Sequence, residues 1–185
     1  MAWAVILFFD ENSEYRIRSL WDCLRIPGSD AVLYDGASRP HLSLAVLDSQ
    51  DGTLEERVGG LAERTSPFTL TFTGLSAFPD SGVLYLTPLA SGVLEAAYRD
   101  MMAALGPLTN RVWPLYLPGK WVPHTTVAMG LDERCVRKIR RAASRVFTPF
   151  TASCLSLGVV KFRPVVATGE YPLGGSGREN GETRE

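Results

Sequence analysis

The sequence is poor in the residues on which several large enzyme classes depend. Its 185 residues include only two histidines and three cysteines, and Cys23, Cys135 and Cys154 are isolated and odd in number. They form neither a disulfide framework nor a CxxC metal or redox motif. The sequence also lacks a P-loop, a G-x-S-x-G elbow and an H-E-x-x-H motif, so the usual nucleotide triphosphatases, serine hydrolases and zinc peptidases are excluded. We therefore expect a cytoplasmic protein that uses no metal or other cofactor.

Net charge and long apolar runs are also scarce. The formal net charge is -1, which argues against a whole-surface grip on long nucleic acid, because that mode neutralises many phosphates. A short or terminal anionic substrate remains open. The apolar start from Ala2 to Phe9 is too short to span a bilayer and runs directly into Asp10 and Glu11. It predicts a buried strand and no contact with a membrane.

The length and composition predict one compact unit. With 45% hydrophobic and 21% charged residues, the chain resembles ordinary soluble globular proteins and can bury a core. From residue 173 onward it becomes rich in glycine and polar residues, which is typical of a disordered tail. We therefore expect a single domain over residues 1–172, a disordered tail over residues 173–185, and a monomer.

Strand and helix patterns alternate along the chain in an order that occurs twice. Strand-like runs are predicted at Ala2–Phe9, His41–Leu47, Phe68–Thr73, Val83–Leu89, His124–Met129, Leu155–Phe162 and Val165–Tyr171. Helical apolar spacing lies between them, with stripes that begin at Ile17, Leu54, Leu94 and Val136. Thr53 and Glu56 predict a capping box at the start of the second helix. The repeated βαβαβ order indicates an internal duplication into two similar lobes, whose seam would form a cleft.

The two histidines occupy matching positions in this duplication. They are 83 residues apart (124 minus 41) in the strings Pro40-His41-Leu42-Ser43-Leu44 and Pro123-His124-Thr125-Thr126-Val127. Because side chains alternate along a strand, each histidine should share a face with the hydroxyl two residues later, while the intervening residue enters the core. A lone histidine is usually an ordinary strand residue. Two such strings in one chain favour a catalytic interpretation.

An imidazole beside a hydroxyl on each of two facing strands suits a tetrahedral phosphate. A neutral imidazole can accept a proton from the attacking group, and an imidazolium can give one to the leaving oxygen; the ordinary histidine pKa of about 6.5 makes both forms accessible. Ser43 and Thr126 can donate hydrogen bonds to the nonbridging oxygens. The pattern therefore predicts phosphodiester chemistry with His41 and His124 as acid and base, in an order that the residues leave open.

Four residues near the motifs are candidate substrate contacts. Tyr116 and Trp121 could stack on a base, with core packing as the alternative for Trp121. Arg39 and Lys120 directly precede the two motifs and could attract an anion, although most such charges are simply solvated.

The paired motifs resemble those of the 2H phosphoesterase superfamily, which includes the 2′-5′ RNA ligase-like proteins and the RNA 2′,3′-cyclic phosphodiesterases. The resemblance covers about residues 1–172. It rests on His41-Leu42-Ser43, on His124-Thr125-Thr126, on the duplicated order, and on Gly74-Leu75-Ser76-Ala77-Phe78-Pro79, which looks like the family's segment after its third strand.

This resemblance implies an α+β fold in which two pseudo-symmetric lobes, each with a mainly antiparallel sheet and two helices, surround a central cleft. It implies hydrolysis of 2′,3′-cyclic phosphates on RNA ends or nucleotides without a metal, with His124 as base and His41 as acid. Cleavage or joining of 2′-5′ bonds and a non-catalytic RNA-end or nucleotide binder are the alternatives. Many bacterial members carry a basic residue soon after the second motif, where this chain has Ala128-Met129-Gly130, so the substrate stays open.

Overall fold

The computed structural model describes residues 1–23, 39–79, 81–162 and 165–174, with residues 143–146 described by their backbone alone. Seven strands and four α-helices lie in these ranges. They are β1 Trp3–Phe9, α1 Glu11–Cys23, β2 His41–Leu47, α2 Leu54–Arg64, β3 Phe68–Ala77, β4 Leu84–Pro88, α3 Gly92–Leu105, β5 Thr125–Ala128, α4 Glu133–Val146, β6 Phe150–Lys161 and β7 Val166–Pro172. Two short 3₁₀ helices, Gly106–Arg111 and Pro114–Tyr116, connect α3 to β5. No helix within the described ranges is long and apolar enough to cross a membrane.

The strands form one antiparallel sheet in the order β2-β1-β6-β3-β4-β5. The twelve-residue β6 pairs with β1 along one edge, and its opposite edge is shared by β3 at the start and β7 at the end. Within the duplicated order, the third strand of each half therefore pairs with the first strand of the other half: β6 with β1, and β3 with β4. The antiparallel sheet with four helices that the resemblance implied is confirmed.

The two faces of the sheet have different neighbours. On one face, residues such as Leu7, Leu44, Leu86 and Val127 pack with the apolar stripes of the helices in the main hydrophobic core. On the other face, a small apolar group of Ala4, Ile6, Phe8, Val46 and Val160 is partly covered by Tyr116 and Phe162. We call this second face the histidine face, because His41 and Ser43 alternate with the core residues Leu42 and Leu44 along β2.

Most predicted elements are confirmed, although β3 extends four residues beyond the predicted end at Thr73 and β6 begins five residues before the predicted start at Leu155. The strand over His41–Leu47 is found at those residues, whereas β5 begins one residue after His124. The segment Gly74–Pro79 does not follow the third strand as a separate piece, because β3 continues to Ala77. The helix stripe that begins at Ile17 was expected to reach Leu24, which lies outside the described residues.

Two local predictions are wrong. The hydroxyl of Thr53 does not cap α2; it donates to Asp51 Oδ1 at 2.7 Å and accepts from Arg57 Nε at 2.8 Å, so the capping box with Glu56 does not form. The disordered tail was expected to begin at residue 173, but Leu173 is buried and its N–H donates to Leu155 O, while the N–H of Gly174 donates to Ala62 O. Residues 175–185 lie outside the described ranges.

A glycine on β6 leaves room for an aromatic ring on the histidine face. A Cβ at Gly158 would be 2.5 Å from Phe8 Cε2 and 3.2 Å from Ile6 Cγ1. We expect Gly158→Ala to lower the free energy of unfolding by about 1–3 kcal/mol, because added atoms overpack this site. Urea denaturation measures it, with Gly74→Ala as the matched strand control, since a Cβ there meets nothing within 4 Å. Equal stabilities of the two variants would contradict the close packing.

Candidate active site

The curvature of the sheet brings the two histidine motifs together. β2 and β5 are the two ends of the strand order, yet they contact each other. Trp121 Nε1 donates a hydrogen bond to Ser43 O at 3.0 Å, and the charge of His124 acts on the pKa of His41. The two predicted catalytic histidines are therefore neighbours across a seam between segments that are 78 or more residues apart in sequence.

Each histidine is oriented by the same backbone contact. His41 Nδ1 lies 2.7 Å from Arg39 O, and His124 Nδ1 lies 2.8 Å from Val122 O. Because a carbonyl oxygen can only accept, Nδ1 carries the proton in both rings. Nε2 of each neutral ring is then the atom with the available lone pair. The repeated contact, two residues before each histidine, matches the pseudo-symmetry that the sequence predicted.

The two predicted phosphate-binding hydroxyls lie on the histidine face. Ser43 is buried, and its hydroxyl is hydrogen-bonded to the Tyr116 hydroxyl. Thr126 is partly buried and directly opposite Tyr85 in the β4–β5 register, while Thr125 and Val127 enter the core. Burial raises the pKa of Tyr116, and the hydrogen bond with Ser43 acts in the opposite direction. Tyr116 therefore stays a neutral phenol that can donate a proton in a hydrogen bond.

Two aromatic side chains around His124 were not among the predicted site residues. The His124 ring packs edge to face against Phe78, with centroids 4.9 Å apart, and against Tyr85 at 5.4 Å. Phe78 and Tyr85 in turn contact each other at 4.3 Å. The alternation of β4 would have placed Tyr85 on the polar face of its strand. No sequence signal identifies its proximity to His124, because that depends on how β4 and β5 pair.

Trp121 holds the strand that carries His41. Besides its bond to Ser43 O, its ring stacks on Tyr98 of α3, with centroids 4.1 Å apart and an interplanar angle of 5°. The Tyr98 hydroxyl donates to Tyr116 O at 2.8 Å. Trp121 and Tyr98 thus fix the backbone around both Ser43 and Tyr116. A direct contact of Trp121 or Tyr116 with substrate stays a prediction.

The two flanking cations have different surroundings. Arg39 donates from Nη2 and Nε to Glu14 Oε1 at 2.7 and 3.0 Å and from Nη1 to Glu170 Oε2 at 2.7 Å. Its guanidinium lies 3.9 Å above the Phe8 ring. These contacts hold the carbonyl that orients His41. Lys120 is exposed, in the turn directly before Trp121.

A metal centre would need several ligands close together. No group of three or more His, Cys, Asp or Glu side chains that could hold a metal is found among the residues that the structure describes. The titratable groups at the seam include the two histidines and Tyr116. The arrangement can accept and donate protons and can hold an anion through hydroxyl groups.

The histidine environment predicts a pH-dependent stability. Burial lowers the pKa of His41 and of His124; their bonds to Arg39 O and Val122 O oppose this, and for His41 the charge of His124 adds to the lowering. As the pH falls through about 6.5, the unfolded chain gains protons before the folded one. We therefore expect the free energy of unfolding to decrease from pH 7 towards pH 5. Urea titrations at several pH values measure the free energy of unfolding of wild type and of the His41→Gln/His124→Gln double variant. Its decrease between pH 7 and pH 5 should be smaller in the variant.

Comparisons with known proteins place this arrangement in a family. The sequence profile of the 2′-5′ RNA ligase superfamily matches residues 9–164. No curated protein sequence matches the chain closely enough to count as a relative. Among solved structures, TT0787 of Thermus thermophilus is similar at a TM-score of 0.66 and 17% identity, covering 95% of this chain and 100% of the other.

Two further solved structures share the fold. E. coli LigT complexed with 3′-AMP has a TM-score of 0.63 at 15% identity and covers 92% of this chain and 97% of its own. The PDE domain of MHV ns2 has a TM-score of 0.50 at 20% identity and covers 72% and 80%. At these identities the likeness shows the fold, whereas the matched profile extends over most of the chain and includes both histidine motifs. The chain belongs to the 2′-5′ RNA ligase superfamily, whose fold is that of the 2H phosphoesterases.

Proposed function

We propose that the protein is a metal-independent phosphodiesterase that hydrolyses 2′,3′-cyclic phosphates on RNA ends or nucleotides. The observation that carries the proposal is the pair of matching half-sites. Each has a histidine whose Nδ1 is tied to a backbone carbonyl and a hydroxyl two residues later on the same face of the sheet. Two such units across one seam supply an acid, a base and two hydrogen-bond donors for one phosphate.

The proposed reaction needs two proton transfers. His124 Nε2 takes a proton from water as its oxygen attacks phosphorus, and His41 gives a proton to the 2′ or 3′ oxygen as its bond to phosphorus breaks. The products are a phosphate monoester and a free hydroxyl. This order of the two histidines follows the family resemblance. After turnover His124 is protonated and His41 neutral, and exchange with solvent restores the starting state.

Binding of the substrate phosphate favours the protonated histidine that the acid step requires. Both histidine pKa values are lowered in the free protein, which favours the neutral form that a base needs. A phosphate anion between the rings raises both pKa values, because a nearby negative charge stabilises the imidazolium. One ring can then be protonated at neutral pH while the other is not. The hydroxyls of Ser43 and Thr126 hold the nonbridging oxygens while charge develops on them.

Ligands of a protein with the same fold are consistent with this substrate class. E. coli LigT has been solved complexed with 3′-AMP and with phosphate. These ligands contain a phosphate, and one of them is a nucleoside 3′-phosphate of the kind that cyclic phosphodiester hydrolysis can produce. We extend the small-nucleotide class to this chain because both of its motifs are complete.

A panel of substrates tests the proposal. The wild-type protein is incubated in EDTA with the four nucleoside 2′,3′-cyclic phosphates and with RNA ending in a cyclic phosphate, and the products are resolved as 2′- or 3′-phosphates. We expect turnover of at least one member, with kcat unchanged by EDTA. Absence of turnover across the panel, or activity only after metal addition, would reject the proposal.

The name of the matched family favours a second candidate, which is cleavage or joining of 2′-5′ phosphodiester bonds. The same two half-sites could protonate the leaving oxygen of such a bond. A 2′-5′ linked dinucleotide belongs in the panel as its test, and saturable binding of any member without product would indicate the non-catalytic binder. Size-exclusion chromatography tests the predicted monomer, and fractionation of cells tests the cytoplasmic location.

A further inference from the structure

A pair of hydroxyl groups lies on the histidine face beside the second motif. In the sheet register, Thr126 of β5 pairs with Tyr85 of β4, and Tyr85 pairs with Ser76 of β3. These three side chains share one face, which is the face of His124, because the Tyr85 ring contacts the His124 ring. Thr87 is two residues beyond Tyr85 on β4 and therefore points the same way.

The hydrogen bond between the two hydroxyls leaves one proton available. Thr87 Oγ1 donates to Ser76 Oγ at 3.1 Å, and both residues are partly buried. A serine hydroxyl that accepts one bond still has its own proton to donate. Ser76 can therefore offer that proton to a ligand, while Thr87 fixes the position of its oxygen.

The sheet surface beside this pair, which we call the floor, carries no side chain at Gly74 of β3. Gly74 pairs with Thr87 across β3 and β4, and a Cβ at Gly74 would meet nothing within 4 Å. Neighbouring strands are about 4.8 Å apart, so Ser76 of β3 is about two strand spacings from Thr126 of β5, with Tyr85 of β4 between them. A sugar bonded directly to a phosphate at the histidines falls within this distance.

The other side of the seam is filled. Next to the first motif, Phe8 pairs with His41 and Ile6 with Ser43, and the Phe8 ring fills the space above Gly158. The guanidinium of Arg39 covers the Phe8 ring at 3.9 Å. The pseudo-symmetry of the two motifs is therefore broken around them. The first-motif side is filled by Phe8, whereas on the second-motif side the Phe78 and Tyr85 rings pack against His124 and the hydroxyl pair and the open surface at Gly74 lie beyond them.

We propose that Ser76 and Thr87, above the open floor at Gly74, form a ribose-binding subsite for the nucleotide whose phosphate lies between His41 and His124. The subsite rests on the proposed function, because it presupposes a nucleotide phosphate at the histidines. Ser76 donates to a ribose oxygen, and the sugar rests over Gly74. The asymmetry of the two sides then fixes which way the nucleoside points from the phosphate.

Isothermal titration calorimetry with 3′-AMP and with inorganic phosphate tests the subsite. We expect Ser76→Ala and Thr87→Val each to weaken 3′-AMP binding about three- to tenfold, the usual range for one hydrogen bond, and to change phosphate binding less than about twofold. Gly74→Val, which narrows the floor, should weaken 3′-AMP binding in the same selective way. Thr71→Val is the matched control: Thr71 belongs to another hydroxyl pair on β3, with Thr151 at 3.5 Å, about 16 Å from Ser76 along the strand.

The outcomes separate the subsite from the proposed function. Equal weakening of 3′-AMP and phosphate, or no change in either, overturns the subsite and leaves the phosphodiesterase proposal intact. If the variants weaken binding of 3′-UMP as much as binding of 3′-AMP, the contact is with the sugar that both nucleotides share. If only 3′-AMP binding is weakened, the hydroxyls contact the base, and the ribose subsite is overturned. A wild-type protein that binds neither ligand and turns over no substrate overturns both proposals. Urea denaturation of each variant shows whether it is folded.

Discussion

Replacing either histidine with alanine is expected to reduce kcat for a 2′,3′-cyclic phosphate by about 10²- to 10⁴-fold, the usual contribution of a positioned acid or base. His41→Ala removes the proton donor to the leaving oxygen, and His124→Ala removes the acceptor of the water proton. Each ring is tied through Nδ1 to a backbone carbonyl, so each substitution removes an Nε2 that is already oriented. Steady-state kinetics on the best substrate of the panel measures the effect.

The pH dependence distinguishes loss of an acid or base from general damage. Wild type should show a bell-shaped profile of kcat/KM, with an ascending and a descending limb. His124→Ala should lose the ascending limb, and His41→Ala the descending one. If the full bell persists in both variants, other groups carry the protons and the assignment fails. If His124→Ala instead loses the descending limb and His41→Ala the ascending limb, the acid and base roles of the two histidines are reversed, but both remain assigned to the reaction.

Removing the second-motif hydroxyl should also have a large effect. We expect Thr126→Val to lower kcat by about 10²- to 10³-fold, as the loss of one donor to a developing oxyanion does. The substitution keeps the branched shape, so strand β5 is retained. We expect Ser43→Ala to lower kcat less than Thr126→Val does. The hydroxyl of Tyr116, which is the hydrogen-bond partner of Ser43, remains close to the phosphate oxygen that Ser43 is proposed to bind. Single-turnover kinetics separates the chemical step from binding.

The neighbouring threonine provides the matched control. Thr125 is 1% exposed on the opposite face of the same strand, and its hydroxyl has no hydrogen-bond partner among the residues that the structure describes. Thr125→Val should leave kcat unchanged and raise the free energy of unfolding by about 1 kcal/mol, because an unsatisfied buried hydroxyl is removed. Equal kinetic losses at residues 125 and 126 would show that the strand, and not its histidine-face hydroxyl, controls the rate.

The elements of this fold could be predicted where the signal is local. Strand β2 was predicted at its observed bounds, because its alternation of polar and apolar residues reflects which side chains enter the core. The same alternation placed Leu42 and Val127 correctly in the core. The capping box failed although it is a local motif, because the Thr53 hydroxyl oxygen accepts from Arg57 Nε instead of from a backbone N–H of the helix, and its proton is donated to Asp51. A motif predicts a contact only when no better partner is nearby.

The surroundings of the histidines could not be predicted in the same way. Arg39 is bound to Glu14 and Glu170, which are 25 and 131 residues away in sequence. The contact of Phe78 and Tyr85 with His124 depends on a strand pairing that composition does not encode. The duplicated order predicted two similar halves, but it could not show that β3 and β6 each pair with the opposite half.

The exchange of third strands makes formation of the candidate site depend on both halves of the chain. A fragment ending near residue 79 would contain β1, β2 and β3, but β3 would lack both of its neighbours and β1 would keep only β2. Such unpaired edges favour association over autonomous folding. Neither histidine motif therefore lies on a sheet that its own half can complete, so we expect neither half alone to form the proposed site.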